Sequence, residues 1–223
     1  MNKRPLTLLK AIMAAIVMSV ILNACKTQTS EVAVLVVQDG SESFSNDPKS
    51  VKLAGQICTE IAREIPYGSQ MSKIEVTSTK TIPPSWSTMT SRKTALSNCK
   101  QTAQEVDLTQ NSPGTYACQG GSTALEMLNK TQSSVLLILH IQATELENNS
   151  CPDVWQNLGA AITDGQMVMI LSNHPLGQRL NQDVYQALKT QENVQFCKTD
   201  QAISCVNSAL KNLKHPPSHA AQI

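Results

Sequence analysis

The chain has 223 residues, 41% of them apolar, which is enough for one domain built around a sheet buried on both faces. Lys3, Arg4 and Lys10 stand in the first 24 residues, which hold no acid, so the rest of the chain carries 15 Lys and Arg against 17 Asp and Glu, a net charge of −2. That balance excludes the clustered basic footprint of a nucleic-acid binder.

Lys3 and Arg4 form a positive start, Ala11 to Leu22 an apolar stretch, and Leu22-Asn23-Ala24-Cys25 places a small residue before a cysteine. This is the pattern of a secretory signal, and it resembles a bacterial lipobox. The resemblance implies cleavage after Ala24 and a lipid on Cys25. It also implies an envelope protein on the cell membrane or the outer membrane, facing the periplasm or the exterior. A transmembrane anchor is the competing reading, but Lys10 shortens the uninterrupted apolar run below the ~20 residues a spanning helix needs. Residues 1–24 then form the signal peptide and residues 25–31 a lipidated tether. Of the seven cysteines, Cys58, Cys99, Cys118, Cys151, Cys197 and Cys205 remain, an even number bound for an oxidising compartment. Three disulfides are expected. Zinc is disfavoured because no C-x-x-C pair exists and His140, His174, His215 and His219 lie away from the cysteines in sequence.

Val32 to Val37 is a continuous Val-rich run, the signature of a central parallel strand buried on both faces. Pro48 opens a helix whose Val51, Ala54, Ile57, Cys58, Ile61 and Ile65 share one face, until Pro66 and Gly68 end it. Lys73 to Ile82 reads as a second strand closed by Pro83-Pro84, with a short third strand near Trp86. Thr90 to Val106 is helical by composition and Gly114 to Gly121 reads as a loop. Ser122 to Lys130 reads as a short helix with hydroxyl caps at its start. Strands over Val135–Ile141, Met167–Leu171 and Asn193–Phe196 alternate with helices over Asp153–Ile162, Leu176–Leu188 and Thr199–Leu213. Residues 214–223 read as a disordered tail. The alternation predicts an α/β fold, a doubly wound, mostly parallel sheet with helices on both faces. Ligands of such folds bind beyond the carboxyl ends of the strands, where strand order reverses.

The central run ends in Asp39-Gly40-Ser41-Glu42-Ser43, and Gly120-Gly121-Ser122-Thr123 follows about 80 residues later. Asp39-x-Ser41-x-Ser43 after the first strand, a Gly-Gly-hydroxyl segment leading into a helix, and then an apolar strand together resemble the von Willebrand factor type A (VWA) domain, over residues 32–213. The resemblance implies a metal-ion-dependent adhesion site holding Mg²⁺ or Mn²⁺. Ser41 and Ser43 would be direct ligands, Asp39 would act directly or through water, and Ser122 or Thr123 would supply a further hydroxyl. An under-neutralised Mg²⁺ among such oxygens can accept a carboxylate from a partner, so the implied partner is a protein presenting an acidic side chain.

The chain departs from the family at the fourth strand, where Thr-Asp-Gly is usual and Leu139-His140-Ile141-Gln142 stands instead. Thr163-Asp164-Gly165 spells the missing tripeptide but precedes a strand, which puts it at the opposite sheet edge, roughly 16 Å away. Glu145 and Glu147 are better substitutes. His140 reads as a satisfied strand-end histidine. The plain alternative for Asp39 to Ser43 is a glycine turn with capping side chains.

Three functions are open at this level. The first is metal-assisted protein binding by an envelope lipoprotein, and the second a metal-free VWA-like scaffold in an envelope assembly. The third, a hydrolase or phosphotransferase using Asp39, is disfavoured: Ser41 stands where a second acid would be needed, and no nucleophile elbow or phosphate loop is present. The chain therefore reads as a non-enzyme. Asp39→Ala is expected on this basis to remove metal binding while leaving the metal-free fold nearly as stable. Element positions favour disulfides 58–99, 118–151 and 197–205, with 99–118 as the main competitor.

Overall fold

A computed structural model describes residues 32–76, 85–101, 116–142, 151–162 and 165–214. Every described residue belongs to one compact unit. The signal peptide, Cys25, the tether and residues 215–223 lie outside the described residues. No helix among the described residues is long and apolar enough to cross a membrane.

In chain order the elements are β1 (Val32–Asp39), α1 (Glu42–Ser45), α2 (Pro48–Glu64), β2 (Gln70–Val76), β3 (Ser87–Thr88), α3 (Arg92–Gln101), α4 (Ala117–Leu128), β4 (Ser134–His140), α5 (Pro152–Ala161), β5 (Gln166–Leu171), α6 (Pro175–Leu188), β6 (Val194–Lys198) and α7 (Ala202–Lys214). They form a six-stranded sheet of order β3-β2-β1-β4-β5-β6. All neighbours are parallel except β3, which runs antiparallel to β2 at the edge. This is the doubly wound α/β architecture expected from the alternation.

All eight residues of β1 are buried, as a central strand covered on both faces must be. Val32, Val34 and Val36 pack under α2, α3 and α7 with Ile57, Ile61, Val206 and Leu210. Ala33, Leu35 and Val37 pack over α4, α5 and α6 with Met127, Trp155, Leu158 and Val184. Each full burial of such a side chain stabilises by roughly 1.5–3 kcal/mol, so the alternating rows of β1 hold the two helical layers to one sheet.

Local chemistry sets the element ends. Asp47 caps α2 by accepting from Lys49 N at 3.1 Å, and Pro48 supplies a preset φ at the first position. Pro66 forces Ile65 to extended backbone (ψ 132°), which ends the helix, and Gly68 then turns the chain at φ +88°. β2 begins at Gln70, earlier than Lys73, because Gln70-Met71-Ser72 carries one apolar residue and hides its pairing with Ala33, Val34 and Leu35. The expected continuation over residues 77–82 lies outside the described residues.

The segment Ala117–Gly121 is helical, which corrects the expected loop there. Its glycines serve packing. A Cβ on Gly120 would run into Val76, and one on Gly121 would meet Val154 at 2.8 Å and Trp155 at 2.9 Å. Side-chain-free positions thus let α4 lie close to the sheet and to α5. The helix has Tyr116 as its N-cap with no side-chain cap bond, so neither Ser122 nor Thr123 caps it.

Three disulfides join Cys58 to Cys99, Cys118 to Cys151 and Cys197 to Cys205, the pairing favoured from element positions. They tie α2 to α3, the first turn of α4 to the start of α5, and the end of β6 to α7. Each closes a loop that the unfolded chain would otherwise sample.

Candidate functional site

Strand order reverses at β1, with β2 on one side and β4 on the other, and Asp39 is the last residue of β1. Its carboxylate is fully buried. Oδ1 accepts from Ser41 N at 2.8 Å, and Oδ2 accepts from Gln142 N at 2.9 Å across the switch point. On the other side Gly40 N donates to Val76 O at 2.9 Å. The turn after β1 is therefore bonded to the chain leaving both neighbouring strands.

Ser41 is the N-cap of α1, with extended backbone (φ −68°, ψ 160°) and an Oγ that accepts from Phe44 N at 3.4 Å. That Oγ lies 3.0 Å from the Oγ of Ser43, which is exposed. One turn on, Phe44 is buried edge-on against His140, ring centroids 5.2 Å apart.

Gln142 closes the stretch that stands in place of the family's Thr-Asp-Gly, and its contacts show what it does there. Its Nε2 donates to Asp47 Oδ2 at 3.4 Å and to Ser50 Oγ, capping groups of α2. Hydrogen bonds from Ser50 and Lys49 N hold the Asp47 carboxyl below its usual range, so an aspartate at 142 would press a second carboxylate toward a charged one. The carbonyl of Gln142 accepts from Ser172 Oγ, which in turn accepts from His174 N at 3.0 Å. A Cβ on Gly177 would collide with that same carbonyl, so glycine lets α6 approach. The amide donors of Gln142, to β1 and the start of α2, and its carbonyl, which accepts at the end of β5, thus bind the three into one edge.

The oxygens of the first-strand turn suit a small hard cation. Mg²⁺ binds at about 2.0–2.1 Å with octahedral geometry, which places adjacent ligands ~2.9 Å apart, close to the Ser41–Ser43 separation of 3.0 Å. Asp39, Ser41 and Ser43 are brought together. Ser122, exposed, and Thr123, buried, lie in the second turn of α4, and among the described residues no hydrogen bond joins them to that turn. Glu145, Glu147 and Asp164 lie outside the described residues. Gly165 sits against the Val135 carbonyl near the start of β4, the edge opposite Asp39.

Beside the turn, under α2 and α3, the otherwise apolar face of the sheet carries a polar row. Glu75, Gln38 and His140 are register neighbours on β2, β1 and β4, and Lys73 is one residue pair further in. Lys73 Nζ pairs with Glu75 Oε1 at 3.3 Å. Burial pushes the Lys73 ammonium down and the Glu75 carboxyl up, each partly offset by the other. His140 is 2% exposed and its pKa falls to about 4, first through burial and then through the charge of Lys73. Neither ring nitrogen has a hydrogen-bond partner among the described residues, which corrects the expectation of a satisfied histidine. Sequence reasoning could place Asp47-Pro48 as a helix start, but it had no signal for Gln142 or for this row.

Two outcomes are expected. Asp39→Ala strands the amides of Ser41 and Gln142 and should cost about 2–4 kcal/mol, with Asp39→Asn costing about half, measured by urea unfolding. This reverses the expectation that Asp39 is dispensable to the fold. His140 stays neutral in the fold while the unfolded state takes up a proton below 6.5, so stability should fall by roughly 1.4 kcal/mol per pH unit from 6.5 toward 4. His140→Leu should remove that part of the slope between unfolding midpoints at neutral pH and near pH 5.

Comparison with family models and with curated proteins returned no match. Solved structures do match. A von Willebrand factor type A protein from Catenulispora acidiphila superposes with a TM-score of 0.59 at 10% identity, covering 83% of this chain and 43% of that one. Proximal thread matrix protein 1 from the mussel byssus, with a zinc-occupied adhesion-site motif, gives 0.53 at 12% identity over 82% of this chain and 47% of that one. The pilus adhesin SpaC from Lactobacillus rhamnosus GG, in an open conformation, gives 0.54 at 12% identity over 84% and 30%. This chain spans less than half the length of each of these three. At such low identity these matches are a likeness of fold, and the described residues have a von Willebrand factor type A-like fold.

Proposed function

We propose that the protein is a lipid-anchored envelope protein whose VWA-fold domain binds a protein partner at the carboxyl edge of β1, through Mg²⁺ or Mn²⁺ held by Asp39, Ser41 and Ser43. The observation that carries this reading is the pair of hydroxyls 3.0 Å apart beside a buried carboxylate at the switch point. The zinc-occupied motif of the mussel protein and the adhesin role of SpaC support it by analogy. Bound there, the ion would supply a Lewis-acidic position for a partner's carboxylate. Asp39 orients the turn, while Ser43 presents its oxygen to solvent and to the partner, beside the buried Oγ of Ser41.

A metal-free scaffold is the second reading, and Gln142 favours it. With Gln142 in the acid's place and a backbone amide on each oxygen of Asp39, the turn holds together without an ion.

Mg²⁺ decides between them. At tenfold its Kd the ion should stabilise by ~1.4 kcal/mol, a rise of roughly 3–6 °C in melting temperature. Ser43→Ala, which removes an exposed hydroxyl, should abolish the rise at little cost to the fold. A melting curve unmoved by millimolar Mg²⁺ and Mn²⁺, with and without partner, leaves the metal-free scaffold. The anchor is tested separately: Cys25→Ser should lower the mass of the membrane form and release the protein from the membrane fraction, and unchanged fractionation would remove that part.

A further inference from the structure

Between α2, α3 and the carboxyl ends of β1 and β2 lies a cavity of about 450 Å³, whose lining takes in Asp39 and Gly40 of the first-strand turn as well as the sheet face. Its floor is the Lys73–Glu75 pair and Gln38. Its walls are apolar, with Phe44, Ala54 and the sulfurs' helices at Cys58 and Cys99, and Val51 stands at 47% exposure. A volume of this size with apolar walls and a few polar groups is that of a small-molecule site.

The polar floor costs stability with no structural return. Lys73 is 4% exposed and, among the described residues, gives one hydrogen bond, to Glu75, although an ammonium carries three donors. In the same polar row His140, two strands from Glu75, is buried with both nitrogens unpartnered among the described residues. A buried ion pair repays its desolvation only when its remaining donors and lone pairs are met. Here the unmet donors of Lys73 belong to a cavity lining, and polar groups that break the core pattern in this way mark a binding function.

We propose that this cavity binds a small zwitterion with an apolar side chain, of the α-amino-acid class. An anion set on Lys73 alone would meet the Glu75 carboxylate 3.3 Å away, and a cation set on Glu75 would meet Lys73. A zwitterion laid antiparallel to the pair puts its carboxylate on the Lys73 ammonium and its ammonium on the Glu75 carboxylate, so the buried site stays neutral. Its side chain then covers Phe44, Ala54 and Val51. The other charged groups of the lining do not alter this balance: both Asp39 oxygens accept backbone amides, and Lys100 is exposed to solvent.

The test uses the full chain in neutral detergent with EDTA, so that it is independent of the metal reading. Titration calorimetry with L-phenylalanine and L-leucine is compared with 3-phenylpropionate and phenethylamine, each of which keeps one charge. The zwitterions should bind, and the half-analogues should bind ~10-fold more weakly or not at all. Glu75→Gln should weaken the zwitterions toward the carboxylate analogue. Because a charge change in the core can unfold the protein, Gly55→Leu gives a second arm. A Cβ at Gly55 meets nothing within 4 Å, so leucine there fills the cavity from a regular helix position, and it should abolish binding with the melting temperature kept or raised. No binding by either amino acid, equal binding by the half-analogues, or undiminished binding by folded Gly55→Leu would each overturn the proposal.

Discussion

A buried carboxylate at the point where strand order reverses holds the carboxyl edge of this sheet together. Asp39 is fully buried, and backbone amides from its own turn and from the exit of β4 converge on its carboxylate. The direction of the chain after β1 and β4 follows from that demand. Ser41 must turn back to present its amide, which starts α1, and α1 drops Phe44 onto His140. Gln142 must leave β4 beside β1, which brings its side chain to the start of α2 and its carbonyl to Ser172. One acid thus positions four elements.

The two faces of the sheet solve burial differently. On the α4, α5 and α6 side the solution is close approach: glycines at 120 and 121 let a helix settle against Val76 and the fully buried Trp155. Along β1 that layer is apolar from Ala33 to Val37. On the α2, α3 and α7 side β1 is equally apolar from Val32 to Val36, but Lys73 stands opposite Val36 and the row beyond it, at Gln38, is one of charges and amides. The Cys58–Cys99 bond bridges the helices above that row, joining them within the buried apolar cluster while both cysteines also line the cavity. The bond adds a covalent tie to that packing.

What could be read in the sequence was what periodicity and punctuation encode. The Val-rich run, the Pro48 helix start and the strand over residues 135–141 each follow from patterns confined to one segment, and all three are where those patterns put them. The doubly wound fold follows from their alternation. Gly120-Gly121 misled because glycine signals a turn and a close packing contact equally, and the choice depends on Trp155 and Val76, which are far along the chain. Within the candidate site, Asp39, Ser41 and Ser43 were legible as a motif. The structural duty of Asp39 was not, since its second partner lies 103 residues away. Gln142 was visible only as a missing acid.

That substitution reframes the site. An aspartate at 142 could serve an ion, but it would stand against the Asp47 carboxylate that caps α2. A glutamine instead donates to that cap and leaves Asp39 as the one acid among the motif positions Asp39-x-Ser41-x-Ser43. A divalent ion on Asp39 and two neutral hydroxyls would keep about one net positive charge, more than in a site with two acids, and so would depend more on a carboxylate from outside. Under the proposed reading, the exchange that stabilises the edge without metal is also the one that makes metal binding and partner binding strongly coupled. The ion would hold poorly alone, and the partner would hold poorly without the ion. Each would raise the affinity of the other by the same factor, as linkage between two ligands of one folded state requires.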